Sequence, residues 1–310
     1  MFKYLKAYRW EDMRQILRNN RAEQHHSNLR MDDKRCVVTG CTSGVGWEVV
    51  KALSRHGARI VMINRDRTRS ENACEALRMR FGADCSDLIA DFADLEQVRE
   101  VANRLAQDDD PIDLLVNNVG MHSTKPTWTK DGLETVFCVN HLGAFSLTWK
   151  LLDKIQQSAP ARIIDVNSQG HRFGGLDIGD LDWRKRHYTG LRGYGAAKTA
   201  QLLTVWEFAE QLQGSGVTIH AMHPGAVRSN IGSNNGPLYR WYKNHILSRS
   251  LGDPAISGQA IHYLATAPEL EALNGRYFNL THLEKPAPHA LDRKIGRIVW
   301  EESVRLAGLA

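Results

Sequence analysis

A chain of 310 residues with 42% apolar and 24% charged side chains can bury a large core and still present a water-facing surface. No apolar run approaches the ~18 residues of a membrane-spanning helix. The start of the chain lacks the compact apolar stretch of a secretory signal. The net charge of +5 is concentrated at the front, where residues 1–35 hold nine Lys/Arg against five Asp/Glu, so the nearly neutral remainder offers no footprint for nucleic acid.

Residues 1–20 space Phe2, Leu5, Tyr8, Met13, Ile16 and Leu17 at helical intervals, with Lys3, Lys6, Arg9, Arg14 and Arg18 between them. This pattern predicts an amphipathic helix. It is a candidate for peripheral contact with a membrane surface, or for packing on the domain or on a second subunit. Residues 19–34 are polar and read as a linker, so the domain proper is expected to span 35–310. Five cysteines, Cys36, Cys41, Cys74, Cys85 and Cys138, have no CxxC pairing and no regular spacing. Reduced thiols in a cytoplasmic protein are expected.

A short β-rich run, Cys36–Thr39, leads into Gly40-Cys41-Thr42-Ser43-Gly44-Val45-Gly46, and a helical stretch follows to Gly57. Strand, glycine-rich turn and helix make a phosphate cradle: glycines admit the ligand, and the helix start supplies N–H groups and a positive dipole end. The same turn could also exist without a ligand. The next strand, Arg59 to Ile63, is followed by Asn64-Arg65, where enzymes that choose NAD usually place an acid for the ribose 2′-hydroxyl. A guanidinium there suits a 2′-phosphate and points to NADP(H).

A charged helix over 66–81 precedes a third strand, Asp87 to Asp91, followed by Phe92. A helix near 94–107 leads to a fourth strand, Ile112 to Val116, and then to Asn117-Asn118-Val119-Gly120. A long apolar helix over 133–157 contains Asn140. The fifth strand, Arg162 to Val166, ends at Asn167-Ser168. The Tyr194–Leu212 run is apolar on most sides, and a sixth strand, Val217 to Ala221, runs into His223-Pro224-Gly225. His220 and His223 lack a third ligand nearby, so no metal site is expected. Residues 226–256 carry Tyr239, Trp241 and Tyr242 and are expected to cap an apolar pocket, with Phe173, Trp183 and Tyr188 as further lining candidates or core residues. A helix near Ser257–Ala265, a strand Arg276–Asn279 and a helix near 291–307 close the chain.

Strands alternate with helices throughout, which predicts an α/β, doubly wound parallel sheet of Rossmann type in one domain. Gly40, Asn64, Asp91, Asn117 and Ser168 all fall at predicted carboxyl ends of strands, where ligands of such sheets gather. Tyr194 and Lys198 are four apart on a helix and so share a face. A positive charge nearby favours the phenolate and would bring a phenol of pKa about 10 into useful acid/base range. Such a pair also occurs as a solvated couple on many helices. The apolar helices 133–157 and 194–212 need cover on two sides, and a second subunit would supply one; a homodimer or tetramer is expected.

Together these residues resemble a short-chain dehydrogenase/reductase. Thr39-Gly40-x-x-x-Gly44-x-Gly46 resembles that family's cofactor motif, and Asn117-Asn118-Val119-Gly120 its Asn-Asn-Ala-Gly. Asn140, Ser168, Tyr194 and Lys198 match its catalytic four in chain order, and Pro224-Gly225 its motif after the sixth strand. The stretches His171-Arg172-Phe173-Gly174, Leu181-Asp182-Trp183, Gly275-Arg276-Tyr277-Phe278 and Val299-Trp300-Glu301-Glu302-Ser303 are similar to the retinol-dehydrogenase-like branch, which includes WW-domain oxidoreductases. Many vertebrate members of that branch begin with an apolar anchor, whereas this chain begins with a basic amphipathic segment. The resemblance implies an NADP(H)-dependent enzyme interconverting a carbonyl and an alcohol on a lipophilic small molecule. Tyr194 would handle the proton, Lys198 would lower its pKa and hold the nicotinamide ribose, Ser168 would donate to the substrate oxygen, and Asn140 would position a water. The implied cofactor shell is Gly40, Thr42, Ser43, Gly44, Val45, Gly46, Asn64, Arg65, Asp91, Phe92, Asn117, Val119, Gly120, Tyr194, Lys198, Pro224, Gly225, Val227 and Ser229. The competing reading is a cofactor-sensing regulatory or scaffold protein that keeps the fold without turnover.

Overall fold

Val37 and Val38 point to opposite faces of their strand, and both are fully buried. A strand with no wet face must be covered on both sides. The computed structural model, which describes residues 9–227 and 252–309, provides that cover. Eight strands form one sheet: β1 (Arg35–Thr39), β2 (Arg59–Asn64), β3 (Cys85–Ile89), β4 (Leu114–Asn117), β5 (Ala161–Val166), β6 (Val217–His223), β7 (Arg276–Asn279) and β8 (His282–Leu283). Their order is β3-β2-β1-β4-β5-β6-β7-β8. All neighbours are parallel except the β7–β8 pair.

Cys36, Val38, Ile60, Met62, Ile164 and Phe278 share one core with α2 (Gly44–Arg55), α3 (Arg67–Phe81) and, past β6, Ala255–Thr266. Val37, Val61, Ile63, Ile163 and Ile219 face the other way, onto α4 (Leu95–Gln107) and two later helices, Gly143–Gln157 and Gly190–Gln211. In chain order those two follow the short α5 (Thr135–Phe137) and are α6 and α7; Ala255–Thr266 is α8, and α9 spans Arg293–Leu306. The sheet is thus doubly wound. Its order reverses between β1 and β4, which places the ligand crevice at their carboxyl ends.

Three departures from the sequence reading bear on function. The predicted 133–157 helix is interrupted: α5 passes into a π-helical stretch, Cys138–Leu142, before α6. The inserted π turn carries Asn140, and such turns are frequent at functional sites. Glu134, fully buried, starts the unit by accepting from the N–H groups of Val136 (3.0 Å) and Phe137 (2.7 Å).

The second face of α6 and α7 is covered from within the chain. Trp300 of α9 lies edge-on to Phe145 (5.0 Å between centroids) and Phe208 (4.7 Å) and also meets Trp149. The apolar excess of these helices is therefore matched by α9 and does not in itself call for a partner.

The stretch read as a linker also packs on the sheet. An amphipathic helix, α1 (Trp10–Asn19), sits over β8, with Gln15 and Asn19 donating to the Leu283 carbonyl. The chain then runs past Thr281, which accepts from the His25 N–H at 3.0 Å, and past His262, bonded to the Leu29 carbonyl at 3.0 Å. Polar anchors of this kind leave no periodic signature, so composition alone reads them as a linker.

Candidate active site

At the carboxyl end of β1 the chain turns through Gly40, whose φ of 70° is the left-handed conformation that side chains resist. A Cβ on Gly46 would lie 2.2 Å from the Gly40 carbonyl oxygen, so α2 begins pressed against the loop. Ser43 is the N-cap of α2, yet its side chain caps nothing. The first-turn N–H groups and the positive helix end are left to a ligand, which fits a phosphate. Thr42, Ser43 and Gly44 are partly exposed there, while the Val45 side chain is buried in the core.

The loop is locked by two residues that belong to the motifs but not to the expected shell. Asn118 Nδ2 donates to the carbonyl oxygens of Thr39 (2.9 Å) and Gly40 (3.0 Å). Thr39 Oγ1 accepts from the N–H groups of Asn118 (2.8 Å) and Val119 (3.0 Å). Thr39 and Asn118 thereby fix the distance between the glycine turn and the Asn117–Gly120 loop.

Several expected cofactor residues turn their side chains inward. Asn64 is buried; its Oδ1 accepts from the Cys41 N–H at 2.7 Å and its Nδ2 donates to Ser70 Oγ at 2.9 Å. The amide fastens the glycine turn to α3 and is not free for a ribose. Asn117 donates to Thr148 Oγ1 (2.9 Å) and to Asp165 Oδ1 (2.7 Å). Phe92 lies in the core, and a Cβ on Gly143 would come within 2.7 Å of its ring. Asp91 closes its own turn by accepting from Ala93 N–H. Asn64, Asn117 and Phe92 therefore shape the crevice without presenting side chains to it. Arg65 is exposed beside Arg67 and Arg69. Those two lean toward Glu71 and Asp66, and among the described residues no carboxylate pairs with Arg65. On the far side, the Pro224 carbonyl accepts from Ser257 Oγ, Gly225 has φ 85°, and Val227 bridges Gly252. Ser229, with Tyr239, Trp241 and Tyr242, lies outside the described residues.

Ser168, just past β5, accepts the Gly170 N–H at 3.0 Å, and its hydroxyl lies close enough to Tyr194 to act on the phenol. Gly170 lies against the Tyr194 ring, so closely that a Cβ there would be 2.5 Å from the ring carbon Cε1. Tyr194 is partly exposed at the crevice. Burial by its surroundings raises its pKa, and the nearby Ser168 hydroxyl opposes that rise. Lys198 is not among the groups acting on it. Its ammonium is buried and donates to the Val166 carbonyl (2.7 Å) and Gln201 Oε1 (3.0 Å). The expected lowering of the Tyr194 pKa by Lys198 is thus absent from this arrangement, because the side chain turns toward β5.

Burial brings Lys198 down to about 8, with the Asp165 carboxylate pulling the other way. Burial likewise raises Asp165 to about 6, opposed by Asn117, Lys198 and Gln201. Asp165 and Gln201 belong to the site and were not anticipated. Their signal was two polar residues where strand and helix patterns call for apolar ones. Asn140 is fully buried, and both ends of its amide are engaged: Oδ1 accepts Met121 N–H (2.7 Å) and Nδ2 donates to Met121 O (2.8 Å). It anchors the loop that follows Gly120.

Trp183 and Tyr188 are core residues of the loop between Ser168 and α7. They meet edge-to-face at 5.2 Å, and the Arg186 guanidinium stacks on Trp183 at 4.0 Å. Phe173 and Leu191 are exposed instead. His122 stands edge-on to Tyr194 at 6.0 Å. Among the described residues, His122 thus borders the Tyr194 ring, and Phe173 lies beside Gly195, the next residue of α7.

The short chain dehydrogenase family matches residues 34–238. Human retinol dehydrogenase 13 is 36% identical over 294 residues, covering 91% of this chain and 87% of that protein. An uncharacterized protein from Mycobacterium Paratuberculosis superimposes with a TM-score of 0.73 at 25% identity, over 90% of this chain and 95% of that one. A short chain dehydrogenase from Burkholderia cenocepacia J2315, solved in complex with NADP, has the same fold, with a TM-score of 0.63 at 20% identity over 83% of this chain and 99% of that one.

Proposed function

This chain belongs to the short chain dehydrogenase family, in its retinol-dehydrogenase-like branch, and from that premise we propose that it interconverts a carbonyl and an alcohol on a lipophilic small molecule, using NADP(H). The observation that carries the reading is the packing of the Ser168–Gly170 turn against the Tyr194 ring, at the same carboxyl edge of the sheet as the uncapped start of α2. A bound nicotinamide dinucleotide would supply or accept the hydride.

The chain's own residues do the rest. The first-turn N–H groups of α2, with Thr42 and Ser43, suit the pyrophosphate, and Arg65 suits a 2′-phosphate. Tyr194 gives or takes the proton at the substrate oxygen. Ser168 donates to the same oxygen and stabilises charge that develops there. Lys198 acts once its ammonium leaves Val166 and Gln201 for the crevice. A Coulombic pull on the phenol then replaces the bond to a main-chain oxygen. Phe173, Leu191 and His122 offer an apolar, partly wet mouth. Retinoids and other apolar aldehydes are the first substrates to try, given the relatives' names.

Among the described residues no helix is long and apolar enough to cross a membrane. The outer face of α1 exposes Trp10 and Leu17 among Arg14, Arg18 and Arg21. That face suits an anionic membrane surface, from which an apolar substrate could be drawn.

The test is direct: purified protein with NADPH, and NADH in parallel, against aldehydes and ketones including retinal, following nicotinamide fluorescence. Turnover with NADPH supports the proposal. Cofactor binding without turnover on any substrate favours the sensor reading instead.

A further inference from the structure

Glu284 follows β8, far in sequence from the residues placed in the active site, and its side chain is fully buried. A buried carboxylate is costly unless every oxygen is satisfied. Here four donors reach it from three directions. Gln169 Nε2 (2.5 Å) and Arg172 Nη2 (3.0 Å) meet Oε1. Asn279 Nδ2 of β7 (2.9 Å) and Asn19 Nδ2 of α1 (3.3 Å) meet Oε2. Asn19 also donates to the Leu283 carbonyl, and Asn20 Oδ1 accepts from Asn279 Nδ2 at 2.8 Å.

Gln169 and Arg172 belong to the turn that begins at Ser168. They bond each other, Arg172 Nε to Gln169 Oε1 at 2.6 Å, and Arg172 also donates to the Lys285 carbonyl. Between them lies Gly170, which touches the Tyr194 ring and donates to Ser168 Oγ. His171 holds the other side of the turn. Its Nε2 accepts the Ala287 N–H at 3.1 Å, so Nδ1 carries the proton and donates to the Ser168 carbonyl at 2.7 Å. The Ser168 turn is therefore tied at two points to the segment Glu284–Ala287, and that segment is tied to α1.

The geometry points to Glu284 as a positioning residue that lets the N-terminal helix set the placement of Ser168 and Tyr194. The 9–20 segment is then part of the active-site support. Its hold passes through this carboxylate, where Asn19 and the Gln169–Arg172 pair occupy opposite oxygens, and beside it through Lys285, whose carbonyl accepts from Arg172 and whose N–H and ammonium reach Gln15 and Asp12 of α1. Undocking α1 removes the Asn19 donor and loosens the turn against which Tyr194 rests. The inference deepens the catalytic reading above and rests on it for its kinetic consequence, though not for its structural one.

The experiment uses the full chain with Asn19→Ala and Glu284→Gln, and with Arg14→Ala, which takes no part in the cluster, as control. Hydrogen exchange followed by mass spectrometry reads residues 168–173, where the Gly170 and His171 amides are hydrogen-bonded. Asn19→Ala is expected to speed exchange of that segment about tenfold, and Arg14→Ala to leave it unchanged. On an accepted substrate, Asn19→Ala should lower kcat about five- to tenfold with the NADPH Kd within twofold of wild type, since the phosphate cradle lies elsewhere. Glu284→Gln should exceed Asn19→Ala in both readouts; if it does not fold, Asn19→Ala alone decides. Unchanged exchange at 168–173 in Asn19→Ala overturns the inference whatever the activity. Faster exchange in a protein that turns over nothing leaves the coupling standing and refutes the enzymatic reading instead.

Discussion

Lys198 Nζ sits 2.7 Å from the main-chain oxygen of Val166, facing the sheet and away from the phenol of Tyr194 four residues earlier. Helical spacing puts the two residues on one face, but the rotatable bonds of each side chain decide where its tip goes. The ammonium goes where acceptors are: a strand-end carbonyl and the Gln201 amide oxygen. A protonated lysine in such a site carries a measurable penalty, which gives the first prediction.

Lys198 has a folded pKa of about 8 against an ordinary value of 10.5. Between those values the unfolded chain binds more protons than the folded one, so the stability contributed by this group rises with pH across that window. At about 1.4 kcal/mol per pH unit the full effect is on the order of 3 kcal/mol. Urea unfolding at pH 7.5, 8.5 and 9.5 should show that component rising in the wild type and missing in Lys198→Met. Identical pH dependence in the two proteins would contradict the burial of the charge.

Acid should act in the opposite sense to that gain. Burial lowers His141, His171 and His220 to about 3 and His223 and His262 to about 4. Each is held neutral in the fold, so its contribution is intact above pH 6.5 and declines as pH falls below it. Asp165, raised to about 6, and Glu134, raised to about 7, favour the folded state as pH drops. Five groups outweigh two, and the urea midpoint is expected to fall steadily from pH 7 to pH 4.5. A flat or rising midpoint would show that these imidazoles are not buried neutral.

The proposed preference for NADP(H) rests on Arg65. Arg65→Ala should weaken NADPH binding by about 10- to 100-fold, the worth of one or two charge-assisted bonds of ~1.5–3 kcal/mol. NADH binding should change less than threefold. Fluorescence titration with both nucleotides measures this, and equal losses for the two would place the 2′-phosphate elsewhere.

Trp300 closes the second face of α6 and α7. Trp300→Ala should destabilise the fold by about 3 kcal/mol, as large aromatic truncations do. Chemical denaturation measures the loss. A change below about 1 kcal/mol would mean that this face is covered by something other than α9.

Where the sequence was legible, periodicity or glycine spacing carried the information. The alternation of strands and helices and the Gly40–Gly46 turn are found where that reading puts them, whereas the set Asn140, Ser168, Tyr194 and Lys198 came from the resemblance to the family. The losses share a cause: a side chain's direction depends on partners distant in sequence. Asn64 and Asn117 stand at strand ends as expected, yet Ser70, Cys41, Thr148 and Asp165 draw their amides inward. The π turn at Asn140 and the docking of residues 19–34 left no periodic trace. Nothing in Leu283-Glu284-Lys285 marks Glu284 as buried, because its partners Asn19, Gln169 and Arg172 come from distant stretches of the chain, with only Asn279 close by.

The proposed enzyme depends most on the Tyr194 hydroxyl, as the group that handles the proton in a hydride transfer. Replacing it by Phe removes one oxygen and leaves the ring against Gly170. The decisive measurement is kcat of Tyr194→Phe with NADPH and an accepted aldehyde, alongside its NADPH Kd. A loss of at least about 1,000-fold in kcat is expected, with Kd within threefold of wild type, beyond the ~10²–10⁴ span only if Tyr194 does more than move the proton. Turnover retained within tenfold would contradict it.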